Sequence, residues 1–261
     1  MSRSSSTERL TRAKIVAAVT ELLEHGGVDA VSTRTIGEAL DVHPTALYRH
    51  FRDMDELLRE AADGILAGLA DDPGGADDPG GAGELGDALE AAAALCLRLR
   101  AVLMSHPGAA QVMASGPARM PNERVFTEKM LGLLSGAGLP DPEVTLAYHA
   151  LIEYVVGSAA IDTAGASDSP EDVEARHRVW RSAYFAASPA EFPHTTRLAP
   201  LLYPSLNDQF EFGIDVLISG LRQRVTHVLF GRHACLIAVE PGRDRTTAAR
   251  RAQFRGRARR R

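Results

Sequence analysis

Cysteine and lysine are both scarce in this chain of 261 residues. The two cysteines, Cys96 and Cys235, lie far apart, which excludes the paired spacing of a zinc site and a disulfide framework and suits a reducing compartment. Of the 29 basic side chains, only Lys14 and Lys129 are lysines. This arginine bias is more typical of a GC-rich coding genome than of any particular chemistry.

Long apolar runs are missing as well. No run of about 18 apolar residues occurs, and the best candidate, residues 146–161, is interrupted by His149 and Glu153. The N-terminal segment MSRSSSTERLTRAK has no apolar stretch of the signal-peptide type. We therefore expect a cytoplasmic protein without a transmembrane helix. Since 45% of the residues are hydrophobic and 24% are charged, the chain can form a real core, which excludes disorder of the whole chain.

The sequence also contains none of the common catalytic motifs. There is no GxSxG segment, no HExxH segment and no phosphate-binding Gly-Lys-Ser/Thr segment. His149 and Glu153 stand at i and i+4, a spacing that suits a metal chelate or an ion pair, although one of the two more often faces a pocket or solvent. We expect no catalytic activity, no cofactor and no metal.

The formal net charge of −5 is distributed unevenly along the chain. Residues 1–59 are nearly neutral and residues 60–239 are strongly acidic, whereas residues 240–261 hold nine arginines against Glu240 and Asp244. The basic tail has no helical apolar stripe. We therefore expect it to be disordered and to contribute, at most, a salt-sensitive and sequence-independent attraction to phosphates.

Apolar residues recur at helical spacing through most of the chain, and prolines fall at the breaks. No window alternates like a β-strand, so the expected fold class is all-α. The segment 71–83, DDPGGADDPGGAG, can be a linker between domains or a surface loop within one domain. We expect an N-terminal head at 9–69, a larger helical domain at 84–230 and a tail at 231–261. The predicted helices cover residues 11–25, 33–40, 44–51, 53–69, 84–104, 107–116, 121–136, 142–164, 171–187 and 203–230.

Two short helices separated by about three residues lie within residues 32–51, STRTIGEALDVHPTALYRHF. This arrangement predicts a helix-turn-helix, whose first helix crosses the DNA backbone and whose second enters the major groove. Arg49 could pair with a guanine edge, Ala46 could meet a thymine methyl and Tyr48 could reach a phosphate, although Tyr48 could also be a half-buried core aromatic. The candidate DNA contacts are Thr33, Arg34, Pro44, Thr45, Ala46, Tyr48, Arg49, His50 and Arg52.

Residues 9–58 resemble the DNA-binding domain of the tetracycline-repressor (TetR) family of transcriptional regulators. The matching segments are LTRAKIVAAVTELLEHGG, STRTIGEALDV and TALYRHF followed by DELL; HALIEYVVG and FEFGIDVLISGL resemble the C-terminal domain more loosely. The resemblance implies a three-helix DNA-binding head, a connecting helix, and a larger helical domain that binds a ligand and dimerises. It also implies a repressor that a small-molecule effector releases from a near-palindromic double-stranded operator.

Four residues depart from the family pattern. Asp41 stands in the turn where Gly is usual, Gly37 replaces an Ala, His43 replaces a Ser or Thr cap, and Met54 stands where many members carry a phosphate-binding Lys. These departures and the nearly neutral head favour an alternative, a helical module that binds a small molecule or a partner and has weak or lost DNA affinity.

The resemblance also suggests where a ligand and a second protomer would bind. An apolar ligand cavity could be lined by aromatic, methionine and titratable residues of the larger domain: Met104, His106, Met113, Phe126, His149, Glu153 and Trp180. Homodimerisation would use the helices at 142–164 and 203–230, because an apolar helix near a chain end requires a partner. The candidate interface residues are Phe210, Ile214, Leu217, Ile218 and Leu221.

Overall fold

The computed structural model describes residues 9–70, 85–116, 119–164 and 170–237. Every element in these ranges is a helix, which confirms the all-α prediction. The chain divides into two units, residues 1–222 and residues 223–261, and the sites discussed below lie in the first. The predicted linker at 71–83 and the basic tail beyond 237 fall outside the described residues.

The N-terminal part, residues 9–70, is called the head below. Thr11 caps its first helix by accepting a hydrogen bond from the Lys14 amide at 3.3 Å, and Gly27, with φ of 66°, ends that helix. The head contains helix α1 (Arg12–Gly26), a 3₁₀ turn (Val28–Ala30), α2 (Thr33–Leu40), a 3₁₀-helix (Pro44–Arg49, the recognition segment), α3 (Met54–Ile65) and α4 (Ala67–Ala70). The head core consists of Ile15, Val19, Leu23, Ile36, Leu47, Phe51, Leu57 and Ala61.

Two head elements differ from the prediction. The recognition segment is a 3₁₀-helix rather than an α-helix, held by i→i+3 bonds such as Ala46 N to His43 O at 2.8 Å. The predicted helix at 53–69 is interrupted at Leu66, whose amide donates to Asp63 O at 3.0 Å. Gly64, which has low helix propensity, lies just before this break.

The following part, residues 85–222, is called the body. Its helices are α5 (Leu85–Ser105), α6 (Pro107–Ala114), α7 (Pro121–Gly136), α8 (Asp141–Thr163), α9 (Pro170–Phe185), α10 (Pro193–Leu198) and α11, which covers Leu206–Ile237. Proline occupies the first turn of α6, α7 and α8, where its missing N–H has no helical partner to lose. Sequence periodicity did not predict α10, which is too short to show a stripe. Helix α11 extends past residue 230 to Ile237, into the range that was expected to belong to the tail.

Helix α8 is long and apolar enough to cross a membrane by length and composition alone. One face of it supplies Val144, Leu151 and Val155 to the body core, and α8 packs against α5, α6 and α7. A core helix of a globular domain passes the same test of length and composition, so this single helix is weak evidence for a membrane.

Candidate DNA-binding surface and adjoining cavity

The turn between α2 and the recognition segment shows why two of the unusual residues are tolerated. Ser32 and Thr35 form a reciprocal capping box at the start of α2, and Asp41 ends that helix in the left-handed region with φ of 52°. A Cβ on Gly37 would lie 2.9 Å from the Val42 carbonyl oxygen and 3.3 Å from Pro44 Cγ. Gly37 therefore permits a close approach of the turn, a role that helix propensity alone could not reveal.

The recognition segment turns its apolar side inward and its polar side outward. Leu47 and Phe51, which stand at i and i+4, are both buried. Tyr48 is 56% exposed, which fits a phosphate contact better than the alternative of a core aromatic. Thr45 and Arg49 are also exposed, whereas Pro44, Ala46 and His50 are half-buried. His43 caps the segment, and its Nδ1 lies 2.8 Å from Thr45 Oγ1.

Several cations of the head are engaged within the protein. Arg34, exposed at the start of α2 beside half-buried Thr33, donates to Glu38 at 2.8 Å, and Arg52 donates to Asp53 at 2.9 Å. Both pairs are solvent-exposed and therefore weak, so a DNA phosphate could compete for either arginine. Arg49 forms no ion pair with any residue in the described ranges, which leaves it available to a base edge.

A cavity of about 610 Å³ lies between α3 and the body helices α5 to α8. Its size is in the range of small-molecule sites, and most of its wall is apolar. The polar groups include Thr127 and Tyr148, whose hydroxyls lie 3.0 Å apart. The wall consists of Arg59, Ala62, Asp63, Leu66, Leu99, Val112, Met113, Ala114, Gly116, Glu123, Phe126, Thr127, Tyr148, His149, Ile152, Glu153, Val156 and Gly157.

The predicted pocket residues divide into two groups. Met113, Phe126, His149 and Glu153 line the cavity, whereas Met104, His106 and Trp180 lie outside it. His106 faces the head instead, with Nε2 2.9 Å from Glu24 Oε1 on α1. Trp180, on α9, packs against Tyr203 from the segment before α11, with their ring centroids 5.0 Å apart. Periodicity identifies the apolar face of each helix but does not show which helices pack against each other.

Sequence reasoning missed Asp63, which joins the head to the cavity wall. Its buried carboxylate accepts hydrogen bonds from the Glu123 amide at 2.8 Å, the Asn122 amide at 3.2 Å and Asn122 Nδ2 at 3.1 Å. Asp63 on α3 thereby caps the N-terminus of α7, where a negative charge is favoured. The one available signal was an isolated Asp between the apolar residues Ala62 and Ile65.

Head and body also meet along α6. A Cβ on Gly108 would come within 2.5 Å of Leu23 Cδ2, so the glycine allows α6 to lie directly on α1. The Val28 amide donates to Gln111 Oε1 at 3.3 Å. Since Val112 and Met113 of the same helix line the cavity, α6 contacts both the head and the candidate ligand site.

Three of the five predicted interface residues are already buried within one protomer. Phe210, 2% exposed, stacks on Tyr154 at 5.3 Å and lies beneath the guanidinium of Arg100, while Ile214 and Ile218 are likewise buried. Leu217 and Leu221 are half-buried. The apolar stripe of α11 thus packs within the chain and does not need a second protomer to cover it, contrary to the argument from sequence.

A different apolar surface is exposed on the two helices. Phe212 and Val216 of α11 are 71% and 51% exposed, and Leu146 and Ile161 of α8 are 68% and 76% exposed. A close contact joins these two helices, because Gly213 leaves room for the Tyr154 ring and the Tyr154 hydroxyl donates to Gln209 O at 3.1 Å. The four exposed side chains define the α8–α11 surface.

Within the part of the chain that the structure describes, no group of three or more metal-ligating side chains occurs. Cys96 is buried in α5, and burial raises the pKa of its thiol to about 12. Such a thiol is inert, because the reactive form is the thiolate.

Taken together, a helix-turn-helix head and a helical body with an apolar cavity define the class of DNA-binding regulators that respond to a ligand. Residues 15–61 match the family described as bacterial regulatory proteins, tetR family, and residues 81–225 match the tetracyclin repressor-like C-terminal domain. The second match alone covers more than half of the chain. The chain therefore belongs to the TetR family of transcriptional regulators, as its motifs predicted.

Individual relatives agree with this membership. A possible TetR family transcriptional regulator from Streptomyces coelicolor A3(2) is 31% identical, with a TM-score of 0.67 over 82% of this chain and 99% of that chain. ActR of Streptomyces coelicolor, solved in complex with actinorhodin, is 25% identical with a TM-score of 0.70, over 83% of this chain and 99% of that one. An HTH-type transcriptional regulator of Saccharopolyspora erythraea is 27% identical over 81% of this chain and 84% of its own length.

Proposed function

We propose that this protein is a homodimeric repressor that leaves its operator when a small molecule occupies the cavity. The observation that carries the proposal is the composition of the cavity wall. Arg59, Ala62 and Asp63 come from α3, the helix that directly follows the DNA-reading turn, and Leu66 is the residue at which that helix ends, whereas the other residues come from the body. A ligand in the cavity thus touches the head and the body at once.

Release requires a ligand that binds more tightly when the two heads are arranged so that they cannot bind the operator than when they can. To shift the population from mostly able to bind DNA to mostly unable to bind it, that preference must reach about 10⁴-fold, or about 5.5 kcal/mol. The contacts available for such coupling are the Asp63 cap on α7 and the packing of α6 on α1. The largely apolar wall, with a few hydroxyl and titratable groups, suits a mainly apolar effector that carries a few polar substituents.

We assign operator contact to the nine residues predicted from the sequence, with Arg49 reading a base and Tyr48, Thr33 and Arg34 contacting phosphates. Exposure of Tyr48 and Arg49 and the absence of an internal partner for Arg49 in the described ranges support this assignment. Two heads related by two-fold symmetry would read a near-palindromic site. The head at 9–69 is the DNA-binding domain and the region 84–230 is the ligand-binding and dimerisation domain.

We place the dimer contact on the α8–α11 surface rather than on the residues first expected. Exposed apolar side chains on two adjoining helices are typical of a protein interface. Because the relatives are transcriptional regulators, we further propose that the chain acts in the cytoplasm, without cofactor or catalytic activity.

DNA binding is tested by fluorescence anisotropy with duplexes from the protein's own upstream region. Arg49→Ala should weaken operator binding by about 1–3 kcal/mol and relax preference at one base pair, because a bidentate base contact is lost. Arg52→Ala is the matched control, since loss of an exposed cation should not alter base preference. Binding with no preference over random DNA would favour the alternative, a binding module that has lost operator recognition.

A second measurement tests the cavity with Nile red as a neutral apolar probe. Wild-type protein should bind the dye, and Met113→Trp, which places a larger side chain in the cavity, should reduce dye binding. Equal dye binding by both proteins would place the ligand site elsewhere.

A further inference from the structure

Arg12, at the first position of α1, forms the densest set of charged contacts among the described residues of the head. Its Nε donates to Glu60 Oε1 at 3.0 Å and Oε2 at 2.8 Å, and its Nη2 donates to Glu56 Oε1 at 2.8 Å. Its Nη1 donates to the His50 carbonyl oxygen, and the guanidinium carbon lies 4.1 Å from the centre of the Phe51 ring. A single side chain thus connects α1, α3 and the end of the recognition segment.

The contact to His50 falls where the recognition segment ends. His50 is its C-terminal cap, and a cation at that position both satisfies a free carbonyl and is favoured by the negative end of the helix dipole. The Phe51 ring beneath the guanidinium is part of the head core. Arg12 therefore holds the end of the recognition segment against the core.

Glu56 extends the same network to the next turn. Its second carboxylate oxygen accepts from the Arg52 amide at 2.8 Å, and its own amide donates to Asp53 Oδ1 at 2.8 Å. Residues 50–53, which join the recognition segment to α3, are thereby held at both ends. The hydrogen bond from Arg12 is also the main reason why the pKa of Glu56 is lowered.

We propose that Arg12 is a positioning residue for operator recognition, which acts by fixing the recognition segment and not by contacting a DNA phosphate. The inference rests on the proposed operator binding. An arginine at the start of α1 in a DNA-binding head would ordinarily be assigned to the phosphate backbone. Here its donors are directed to two carboxylates and a carbonyl of its own chain, so a phosphate would have to displace them.

The test compares Arg12→Gln and Glu60→Gln with Arg9→Gln, a control at an exposed arginine for which the described residues provide no ion pair. Arg12→Gln should weaken operator binding roughly tenfold, which is the usual effect of losing a charge-assisted pair. The slope of the logarithm of the association constant against the logarithm of the salt concentration should stay unchanged. Loss of a phosphate contact would instead lower that slope by about one, the result expected for Arg9→Gln if Arg9 meets the backbone.

Glu60→Gln separates two explanations, because they predict changes of operator affinity in opposite directions. Removal of a negative charge from a DNA-binding head should strengthen binding if only long-range electrostatics matter. If Glu60 acts by holding Arg12, the same change should weaken binding several-fold, and the double variant should be no weaker than Arg12→Gln alone. Arg12→Lys should fail to restore affinity, because an ammonium cannot reproduce the planar fork that reaches Glu56, Glu60 and His50 together.

A readout without DNA completes the experiment. Amide hydrogen exchange measured on the full chain should accelerate across residues 44–53 in Arg12→Gln and Glu60→Gln, while α5 to α8 keep wild-type protection. A reduced salt slope for Arg12→Gln, tighter binding by Glu60→Gln, or unchanged exchange in residues 44–53 would each overturn the proposal. If wild-type protein binds no operator, the proposed function fails, and the exchange result still decides whether Arg12 fixes the recognition segment.

Discussion

The head and the body of this protein are stabilised in different ways. The head builds short helices on a small core, and polar side chains cap them: Thr11 on α1, Ser32 on α2, His43 on the recognition segment and Asp53 on α3. In the body, α6, α7 and α8 have no side-chain bond from their own cap residues and rely on burial of apolar faces. A side-chain cap stabilises a helix by about 1 kcal/mol, and burial of an apolar face supplies most of the remaining stability.

This difference suits the division of labour in the regulator. A head held by individual hydrogen bonds and ion pairs can be altered by a small displacement, because each such contact has a narrow geometry. A body held by close packing can surround a cavity without losing its fold. Asp63 connects the two, since it belongs to α3 and caps α7.

The largest effect is expected from breaking the buried ion pair of the body. Arg100, 5% exposed, donates to Asp162 at 2.7 Å and to Ser158 at 3.3 Å. Asp162→Ala should lower the free energy of unfolding by about 3–5 kcal/mol, because it leaves a buried guanidinium without its counter-charge. Urea unfolding measures the loss.

The exposed pair between Arg222 and Glu90 provides the control for that experiment. Glu90→Ala also removes an ion pair between α5 and another helix, but both partners face solvent, so the loss should stay below about 1 kcal/mol. Equal losses for the two variants would show that burial does not decide the stability of the body's ion pairs.

A smaller effect is expected where head and body join. Asp63→Ala leaves the amides of Asn122 and Glu123 without their acceptor, so the unfolding free energy should fall by about 2 kcal/mol. Hydrogen exchange should then increase at the start of α7. Asp55→Ala on the same helix is the control, since the carboxylate of Asp55 is exposed and pairs with half-buried Arg59 one turn along the helix, and a comparable effect there would contradict the capping role.

The two regions also differ in what could be predicted from sequence. Leu47, Phe51 and the cap residues follow from local spacing and side-chain chemistry, so the sequence alone predicts the helix-turn-helix and its family. The environments of His106, Trp180 and Phe210 depend on which helices meet, and spacing within one helix carries no such information. Sequence reasoning places His106 and Trp180 in a pocket that they do not line. It places Phe210 in an interface, although Phe210 is buried within the protomer.

Arg12 shows the same limit inside the head. Its position at the start of α1 could be predicted, but its contacts with Glu56, Glu60 and His50 span more than 35 residues of sequence. Residue type and position alone therefore do not identify these contacts, and only the fold brings the partners of Arg12 together.

The smallest expected effect is a pH dependence confined to the head. The hydrogen bond from Arg12 lowers the pKa of Glu56, so the stability that this carboxylate contributes is fully present above its ordinary pKa of about 4.3 and is lost as the pH falls further. Hydrogen exchange of residues 44–60, measured in the full chain from pH 7 to pH 3 and corrected for intrinsic rates, should rise in acid. Glu56→Gln should exchange faster at pH 7 and change less between these limits. Glu21→Gln on the exposed side of α1 is the control, and its hydrogen exchange should depend on pH as in the wild type. If Glu56→Gln also kept the wild-type dependence on pH, the acid sensitivity would belong to another group.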